Sequence, residues 1–243
     1  GVTQDDTMAV MWYRRAAEQG GGWAQRNLGQ MYEYGRGVAQ DDAKAVELYR
    51  KAAEQGNAAA QNNLGVMYFK GRGVAQDDAK AVEWWRKAAE EGNEAAQISL
   101  GWMYEHGRGV AQDDAKAVEW YDMADRQWNT AAKFHLGRMY EYSRGVARGY
   151  RYSSELYRYA AARGNAWAKR NLNRMYANGR GVKRDDAKAV EWWRKDAEEG
   201  NEWAQFYLGE MYANGRGVER DDAKAVEWWR KAAEEENVCA QFH

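Results

Sequence analysis

The sequence contains no proline and a single cysteine, Cys239, among its 243 residues. One cysteine excludes an intramolecular disulfide and a zinc site made of several cysteines. No stretch approaches the roughly 20 consecutive apolar residues of a membrane-spanning helix. No basic segment followed by an apolar one opens the sequence, so we expect that any signal peptide has been removed or never existed. Without proline, glycine must mark the helix ends and turns.

The composition is that of a folded protein, with 45% hydrophobic and 30% charged residues and a net charge of -1. This balance argues against a disordered chain and against one that coats nucleic acid along its whole length.

A Gly-Val pair recurs every 36 residues, and this spacing organises the whole chain. The pairs begin at Gly1, Gly37, Gly73, Gly109, Gly145, Gly181 and Gly217. We therefore predict one repeat domain over residues 1–243. It consists of six full 36-residue repeats, starting at residues 1, 37, 73, 109, 145 and 181, and a truncated seventh at 217–243. Such a period is typical of stacked helical repeats.

The residue pattern of each repeat predicts two helices, as residues 73–108 illustrate. The acidic pair Asp77-Asp78 is suited to starting the first helix, and Gly92 to closing it. Its predicted buried residues are Ala81, Val82, Trp85, Ala88 and Ala89. Asn93 is suited to capping the second helix, which buries Ala96, Leu100, Met103 and Tyr104 and ends at Gly107. Gly101 within it indicates close approach of a large ring. The hairpins predict an all-α, right-handed superhelical solenoid of the tetratricopeptide type.

The segment AEEGNEAAQISLGWMYEHGRGVAQDDAKAVEWY, residues 89–121, resembles the Sel-one-like repeat family. The resemblance covers the entire chain, although the proline that commonly follows Gly-Val in that family is missing. It implies a non-enzymatic adaptor that binds proteins or peptides, without cofactors, and of bacterial origin. It favours a periplasmic or secreted location over the cytoplasm. Immunity and virulence-associated proteins are alternatives within the same family.

Residues of the kind that carry chemistry are few and scattered. The three histidines, His106, His135 and His243, show no metal-ligand spacing, and Ser153 and Ser154 lie in no nucleophile motif. The Gly-Arg-Gly-Val segments lack a preceding strand and lead into acidic pairs that would repel phosphate. We interpret those glycines as a helix stop and a turn, and the paired tryptophans as packing residues.

The predicted binding surface is the exposed stripe of the first helices, which face the concave side of related solenoids. In the third repeat the stripe is Lys80, Glu83, Lys87 and Glu90, a solvated charged face. In the fourth and fifth repeats apolar and aromatic residues replace these charges. The predicted partner-binding residues are Met123, Arg138, Arg148, Tyr150, Arg151, Tyr152, Glu155, Arg158, Tyr159, Trp167 and Arg170. Aromatic residues, methionine and arginine are enriched at interfaces.

The charge is also uneven. Residues 144–184 contain eleven basic residues and one acidic residue, Glu155. This asymmetry predicts a protein or peptide partner of acidic and apolar character. Polyanion or nucleic-acid binding is a weaker alternative, and drift of one repeat is another. Near-identical repeats also fit an engineered consensus-like scaffold. Because neither end carries a polar capping repeat, end-to-end self-association is a further expectation.

Overall fold

The computed structural model describes residues 4–240, and side chains from Asp5 to Glu234. All regular elements in this range are α-helices, most of them 13 residues long. In chain order they are α1 (Gln4–Glu18), α2 (Gly22–Tyr34), α3 (Asp42–Glu54), α4 (Ala58–Lys70), α5 (Asp78–Glu90), α6 (Glu94–His106), α7 (Asp114–Asp125), α8 (Thr130–Tyr142), α9 (Tyr150–Ala162), α10 (Ala166–Asn178), α11 (Asp186–Glu198), α12 (Glu202–Asn214) and α13 (Asp222–Ala240). The predicted helix pairs are confirmed.

The chain forms two compact units. The first unit comprises the residues up to Met139 together with Arg144–Ala147. The second unit comprises Tyr140–Ser143 and the residues from Arg148 onward. In each unit the odd-numbered helices open the 36-residue repeats and the even-numbered helices follow them, so both units are built from the same hairpin.

The two aspartates at the start of a repeat have different tasks, as α5 shows. Asp77 caps the helix by accepting from the Lys80 amide at 2.9 Å, and the amide and ammonium of Lys80 hold the pKa of Asp77 below its ordinary value. Asp78 instead accepts from Arg108 Nε at 2.8 Å, 30 residues later. The equivalent aspartates of the second, fourth and sixth repeats also bind the arginine that precedes the next Gly-Val pair. Each closing loop is thereby fastened to the start of its own repeat.

The loop glycines are required by geometry. Gly107 ends α6 with a φ of 63°, a conformation that suits glycine. Gly109 has a φ of 66°, and a Cβ there would lie 2.4 Å from the Asp78 carbonyl oxygen. The interpretation of the Gly-Arg-Gly segments as a helix stop and a tight turn is confirmed.

The predicted close approach within the second helices is also confirmed. A Cβ on Gly101 would lie 2.7 Å from the Tyr121 ring, and a Cβ on Gly65 would lie 2.6 Å from the Trp85 indole. Each of these rings belongs to the first helix of the next repeat. The glycine therefore sets the spacing at the joint between consecutive repeats, and the closer packing offsets its low helix propensity.

Three joints contain a buried carboxyl group that the sequence analysis did not predict. Tyr49 donates to Glu33 at 2.6 Å, Tyr121 to Glu105 at 2.8 Å and Tyr157 to Glu141 at 2.9 Å. An arginine also contacts each carboxylate. Burial, reinforced by the neighbouring carboxylate, raises the pKa of each tyrosine well above its ordinary value, so these phenols remain hydrogen-bond donors.

The remaining joints use tryptophan and no carboxylate. Where the residue before the loop is Phe69, Ala177 or Ala213 instead of glutamate, the next first helix carries Trp85, Trp193 or Trp229 instead of tyrosine. Trp85 Nε1 donates to the Asn62 carbonyl at 3.2 Å, so its polar atom is satisfied by backbone. The two residues of a joint therefore change together.

The predicted buried stripes of the third repeat are confirmed. The buried side chains in α5 and α6 include Ala81, Val82, Trp85, Ala88, Ala89, Ala96, Leu100, Met103 and Tyr104. The paired tryptophan Trp84 is only partly buried and has Lys87 Nζ 4.4 Å from its ring centre.

We predict that the two kinds of joint can be exchanged only as pairs. Glu33→Phe alone removes the acceptor of Tyr49 and should cost about 1–3 kcal/mol, as should Tyr49→Trp alone, which leaves Glu33 without its donor. The double variant copies the Phe69–Trp85 joint and should recover at least half of the summed loss. Urea unfolding of all four proteins measures this coupling. Additive losses would contradict it.

We predict that His135 makes the stability of the protein depend on pH. Its ring stacks on Tyr121 with ring centres 4.7 Å apart. Burial lowers the pKa of His135 from 6.5 to about 4. As the pH decreases, His135 takes up its proton at a higher pH in the unfolded chain than in the folded protein. The free energy of unfolding should therefore fall by at most about 3 kcal/mol as the pH decreases from about 6.5 to about 4. His135→Asn, which copies Asn27 and Asn63 of other repeats, should flatten that slope in pH-dependent urea unfolding. An unchanged slope would refute the assignment.

Candidate protein-binding surface

The start of α9 has lost the capping groups of the other first helices. Gly149 is its N-cap and contributes no side-chain hydrogen bond, and the first turn contains no acidic residue. The backbone course is nevertheless kept. Gly149 N donates to the Tyr140 carbonyl at 3.1 Å, as Asp113 N donates to that of Tyr104 at 3.0 Å. This helix start has therefore lost its acidic cap and the side-chain hydrogen bond of that cap, while its backbone course is unchanged.

Tyr150 occupies the position of the second aspartate, which elsewhere binds the loop arginine. Arg180, the loop arginine of this repeat, lies 5.7 Å from the centre of the Tyr150 ring, and Arg148 lies 5.5 Å from it. Among the described residues neither arginine has a carboxylate within 4.0 Å. The aromatic ring thus brings two uncompensated cations together at the surface.

A basic pocket of about 350 Å³ opens beside these residues, between α9 and the loop that follows α10. Arg151, Arg158 and Lys183 line it, together with the acidic residues Glu155 and Asp185. The side chain of Arg151 is 89% exposed, and its Nε lies 3.8 Å from Glu155 Oε1, a loose solvent-screened pair. The pocket therefore presents an excess of positive charge.

The buried side of α9 includes two small polar residues beside Leu156, Tyr157 and Ala160. Ser153 and Ser154 are both buried, and Ser154 Oγ donates to the Arg151 carbonyl at 2.6 Å. This hydrogen bond engages the Ser154 hydroxyl, and both serines occupy buried packing positions.

The outward stripe of α9 carries two of the predicted aromatic residues. Tyr152 is 42% exposed and packs edge-on against Tyr140, with ring centres 4.8 Å apart. Tyr159 is only partly buried, and the Arg163 guanidinium lies 3.9 Å from its ring centre. Tyr152 therefore offers the larger apolar contact area to a partner.

Two predicted residues lie elsewhere in the second unit. Trp167 and Arg170 line a larger pocket of about 940 Å³ near the turn from α9 to α10. The 13-residue helix α9 is about 20 Å long, so this pocket and the basic pocket are at opposite ends of the hairpin. The predicted residues of this unit thus form two separate surfaces.

Met123 and Arg138 belong to the first unit. Met123 is 42% exposed on α7. Arg138 donates to the buried Glu105 carboxylate at 3.2 Å, so it supports the joint between two repeats in addition to any role at the surface.

The sequence analysis did not predict two lysine–aspartate pairs, of which Lys133–Asp125 is largely buried and Lys169–Asp196 is partly buried. Lys133 binds Asp125 at 2.5 Å, and Lys169 binds Asp196. Other repeats have glutamine in place of these lysines and alanine in place of these aspartates. These pairs could have been predicted from the sequence, because lysine and aspartate occur together at positions that are otherwise glutamine and alanine.

The described part of the chain contains no cluster of three or more potential metal ligands, and no helix there is long and apolar enough to cross a membrane. His106 is exposed at the end of α6, where Nδ1 lies 2.9 Å from the Trp102 carbonyl. The side chain of Cys239 and all of His243 lie outside the described residues.

Hairpins of constant length, joined through buried rings and glycines, define a helical repeat protein. A profile of the Sel1 repeat matches seven stretches, at residues 1–21, 24–57, 58–93, 94–124, 130–165, 168–201 and 204–237. The chain belongs to the Sel1 repeat family, and its all-α repeat fold is the one predicted. Proteins of this family generally mediate protein–protein interaction and are typically non-catalytic scaffolds.

Solved structures of bacterial proteins show the same fold. A protective antigen of uropathogenic Escherichia coli, with an SLR fold, is 39% identical with a TM-score of 0.85; the match covers 96% of this chain and 50% of the antigen. A Sel1 repeat protein from Oxalobacter formigenes is 29% identical with a TM-score of 0.76, over 95% of this chain and 97% of that one. The chain thus spans half the length of the antigen. No curated protein sequence matches significantly.

We predict that restoring the cap of α9 stabilises the protein. Gly149→Asp should gain about 1 kcal/mol in the free energy of unfolding, because the carboxylate can accept from the first-turn amides. A Cβ at Gly149 would lie 3.1 Å from Cδ1 of Tyr140, so this ring must shift by a few tenths of an ångström to admit a side chain. Asp113 occupies the equivalent place beside Tyr104 in the preceding repeat. Gly149→Ala is the control, because it removes the glycine without supplying an acceptor. Urea unfolding should rank Gly149→Asp above Gly149→Ala, and the opposite order would refute the prediction.

Proposed function

We propose that the chain is a protein-interaction scaffold whose second unit binds an acidic segment of a partner protein at the basic pocket of α9. The observation that carries the proposal is the loss of both the capping carboxylate and the arginine-binding carboxylate at this helix start, alone among the first helices from α3 to α11. Without them, the free amides and the helix dipole favour an anion at this position.

The surrounding side chains support the same ligand chemistry. Arg151, Arg158 and Lys183 line the pocket, and Arg180 lies next to it without a carboxylate partner among the described residues. Tyr152 supplies exposed aromatic area on the adjacent stripe. Arginine and tyrosine are enriched at interface centres, so an acidic segment with a neighbouring apolar residue is the best match.

The likeness to a protective antigen supports a bacterial, virulence-associated setting for this scaffold. A periplasmic or secreted location, which the family resemblance favours, belongs to the same proposal.

The test is binding of a fluorescein-labelled peptide containing the sequence Asp-Glu-Trp-Glu-Asp. Arg151→Gln combined with Arg158→Gln should weaken binding about tenfold, and the loss should shrink as salt rises, because rim charges act through screened attraction. Fluorescence anisotropy of the full chain measures both effects.

The matched control is Lys80→Gln combined with Lys87→Gln, which removes two exposed charges from α5 in the first unit. It should leave peptide binding unchanged. Equal losses in both double variants would show nonspecific attraction and overturn the proposed site. Tighter binding of duplex DNA than of the peptide, with a steep salt dependence, would favour polyanion binding instead.

A further inference from the structure

Helix α10 departs from the other second helices at Asn173, where the repeats on either side have glycine. A Cβ on the equivalent Gly65 would lie 2.6 Å from the Trp85 indole nitrogen. No side chain can occupy that space while the ring does. Asn173 therefore prevents Trp193, the ring of the next repeat, from packing as Trp85 does.

The displacement leaves polar groups unpaired in the core. Trp85 donates to the Asn62 carbonyl, but Trp193 Nε1 has no hydrogen-bond partner among the described residues although the side chain is only 2% exposed. Within the same part of the chain neither amide atom of Asn173 has a partner, and Asn173 is fully buried. Buried polar groups are normally paired, so this joint is less stable than its equivalents. Trp193 instead stacks on Tyr207, with ring centres 5.0 Å apart.

The pocket of about 940 Å³ lies at this joint, and Trp193 forms part of its wall. Its volume lies within the range of small-molecule and peptide sites. Two further indoles line it, Trp167 from α10 and Trp203 from α12, which are 63% and 48% exposed. The pocket is thus walled by three indoles, and two of them are exposed.

A cation sits between the exposed indoles. The Arg170 guanidinium lies 4.6 Å from the Trp203 ring centre and 5.7 Å from that of Trp167. Within the described residues, Arg170 has no carboxylate within 4.0 Å. The first turn of α10 has no acidic residue, and its cap, Asn165, accepts from the Ala168 amide. This side of the pocket favours an anion.

The other charges of the pocket are balanced or lie on the opposite helix pair. Lys169 is paired with Asp196, whereas the side formed by α11 and α12 presents Glu199 and Glu202 together with Lys195. The pocket therefore has one cationic side and one side with a net negative charge.

We propose that this pocket binds the end of a peptide whose last residue is aromatic and carries a free carboxylate. The carboxylate binds Arg170 and the start of α10. The aromatic side chain packs against Trp167 and Trp203. Either a short free peptide or the C-terminus of a protein supplies this chemistry. Only a short free peptide also has an amino terminus close to its carboxylate, and the acidic side of the pocket favours that positively charged amine. The site is separate from the basic pocket of α9, so its failure would leave the proposed function untouched.

Isothermal titration calorimetry of the full chain tests the site with acetyl-Gly-Gly-Phe. The free acid should bind saturably to the unchanged protein. The C-terminal amide of the same peptide should bind about tenfold more weakly, because it lacks the carboxylate. The free acid should also bind about tenfold more weakly to Arg170→Gln, because this variant lacks the guanidinium. Unacetylated Gly-Gly-Phe distinguishes the sources. Tighter binding than the acetylated form identifies a short free peptide, and equal or weaker binding identifies a protein C-terminus.

The decisive variant is Asn173→Gly, which restores the glycine of the other joints. Trp193 should then pack against α10 and close the pocket, so binding should fall about tenfold or more while the thermal unfolding midpoint does not decrease. Trp23→Ala, at the same repeat position as Trp167 but in the first unit, is the matched control and should bind normally. Equal affinity for acid and amide, full binding by Asn173→Gly, or no saturable binding of the free acid would each overturn the proposal.

Discussion

The contact between a helix glycine and the ring of the next repeat is the constraint on which the structure depends. A side chain at Gly101 would enter the space of the Tyr121 ring, so the two helices can pack at this distance only while glycine is kept. The close packing buries a large ring without a cavity, and this burial is the main source of stability at each joint. The caps and loop arginines then fix where each helix begins relative to that ring.

Two chemical solutions satisfy the polar atom of the buried ring. A tyrosine hydroxyl needs an acceptor, which Glu33, Glu105 or Glu141 provides, and the carboxylate in turn needs an arginine. The indole N–H groups of Trp85 and Trp229 donate to a backbone carbonyl and need neither. The first solution adds strong hydrogen bonds at the cost of burying charge, and the second adds apolar area. Exchanging one residue alone leaves a buried group unpaired.

Much of the fold could be predicted because seven similar segments report on the same structure. Helix bounds, the buried stripes of α5 and α6 and the close approach at Gly101 all followed from spacing and residue type. The Asp78–Arg108 and Glu105–Tyr121 pairs did not, because they join residues 16 to 30 positions apart through the fold. The candidate surface was predicted as one patch since linear distance cannot separate the two ends of a hairpin. Asn173 was missed because its effect is exerted on a ring in the following repeat.

The tie between Asp78 and Arg108 belongs to one repeat, whereas the contact between Gly101 and Tyr121 joins two. Recombination between genes of this kind therefore has unequal consequences at different points. A crossover within the Gly-Val loop keeps each aspartate–arginine tie but can bring a tyrosine next to a repeat that has no glutamate. A crossover in the short turn between the two helices of a hairpin keeps each buried ring with its partner in the preceding repeat. It places the aspartate and the arginine of one repeat on segments from different parents. Because that tie is the same in nearly all repeats, the second kind of exchange preserves both interactions, and variation by shuffling is expected to favour it.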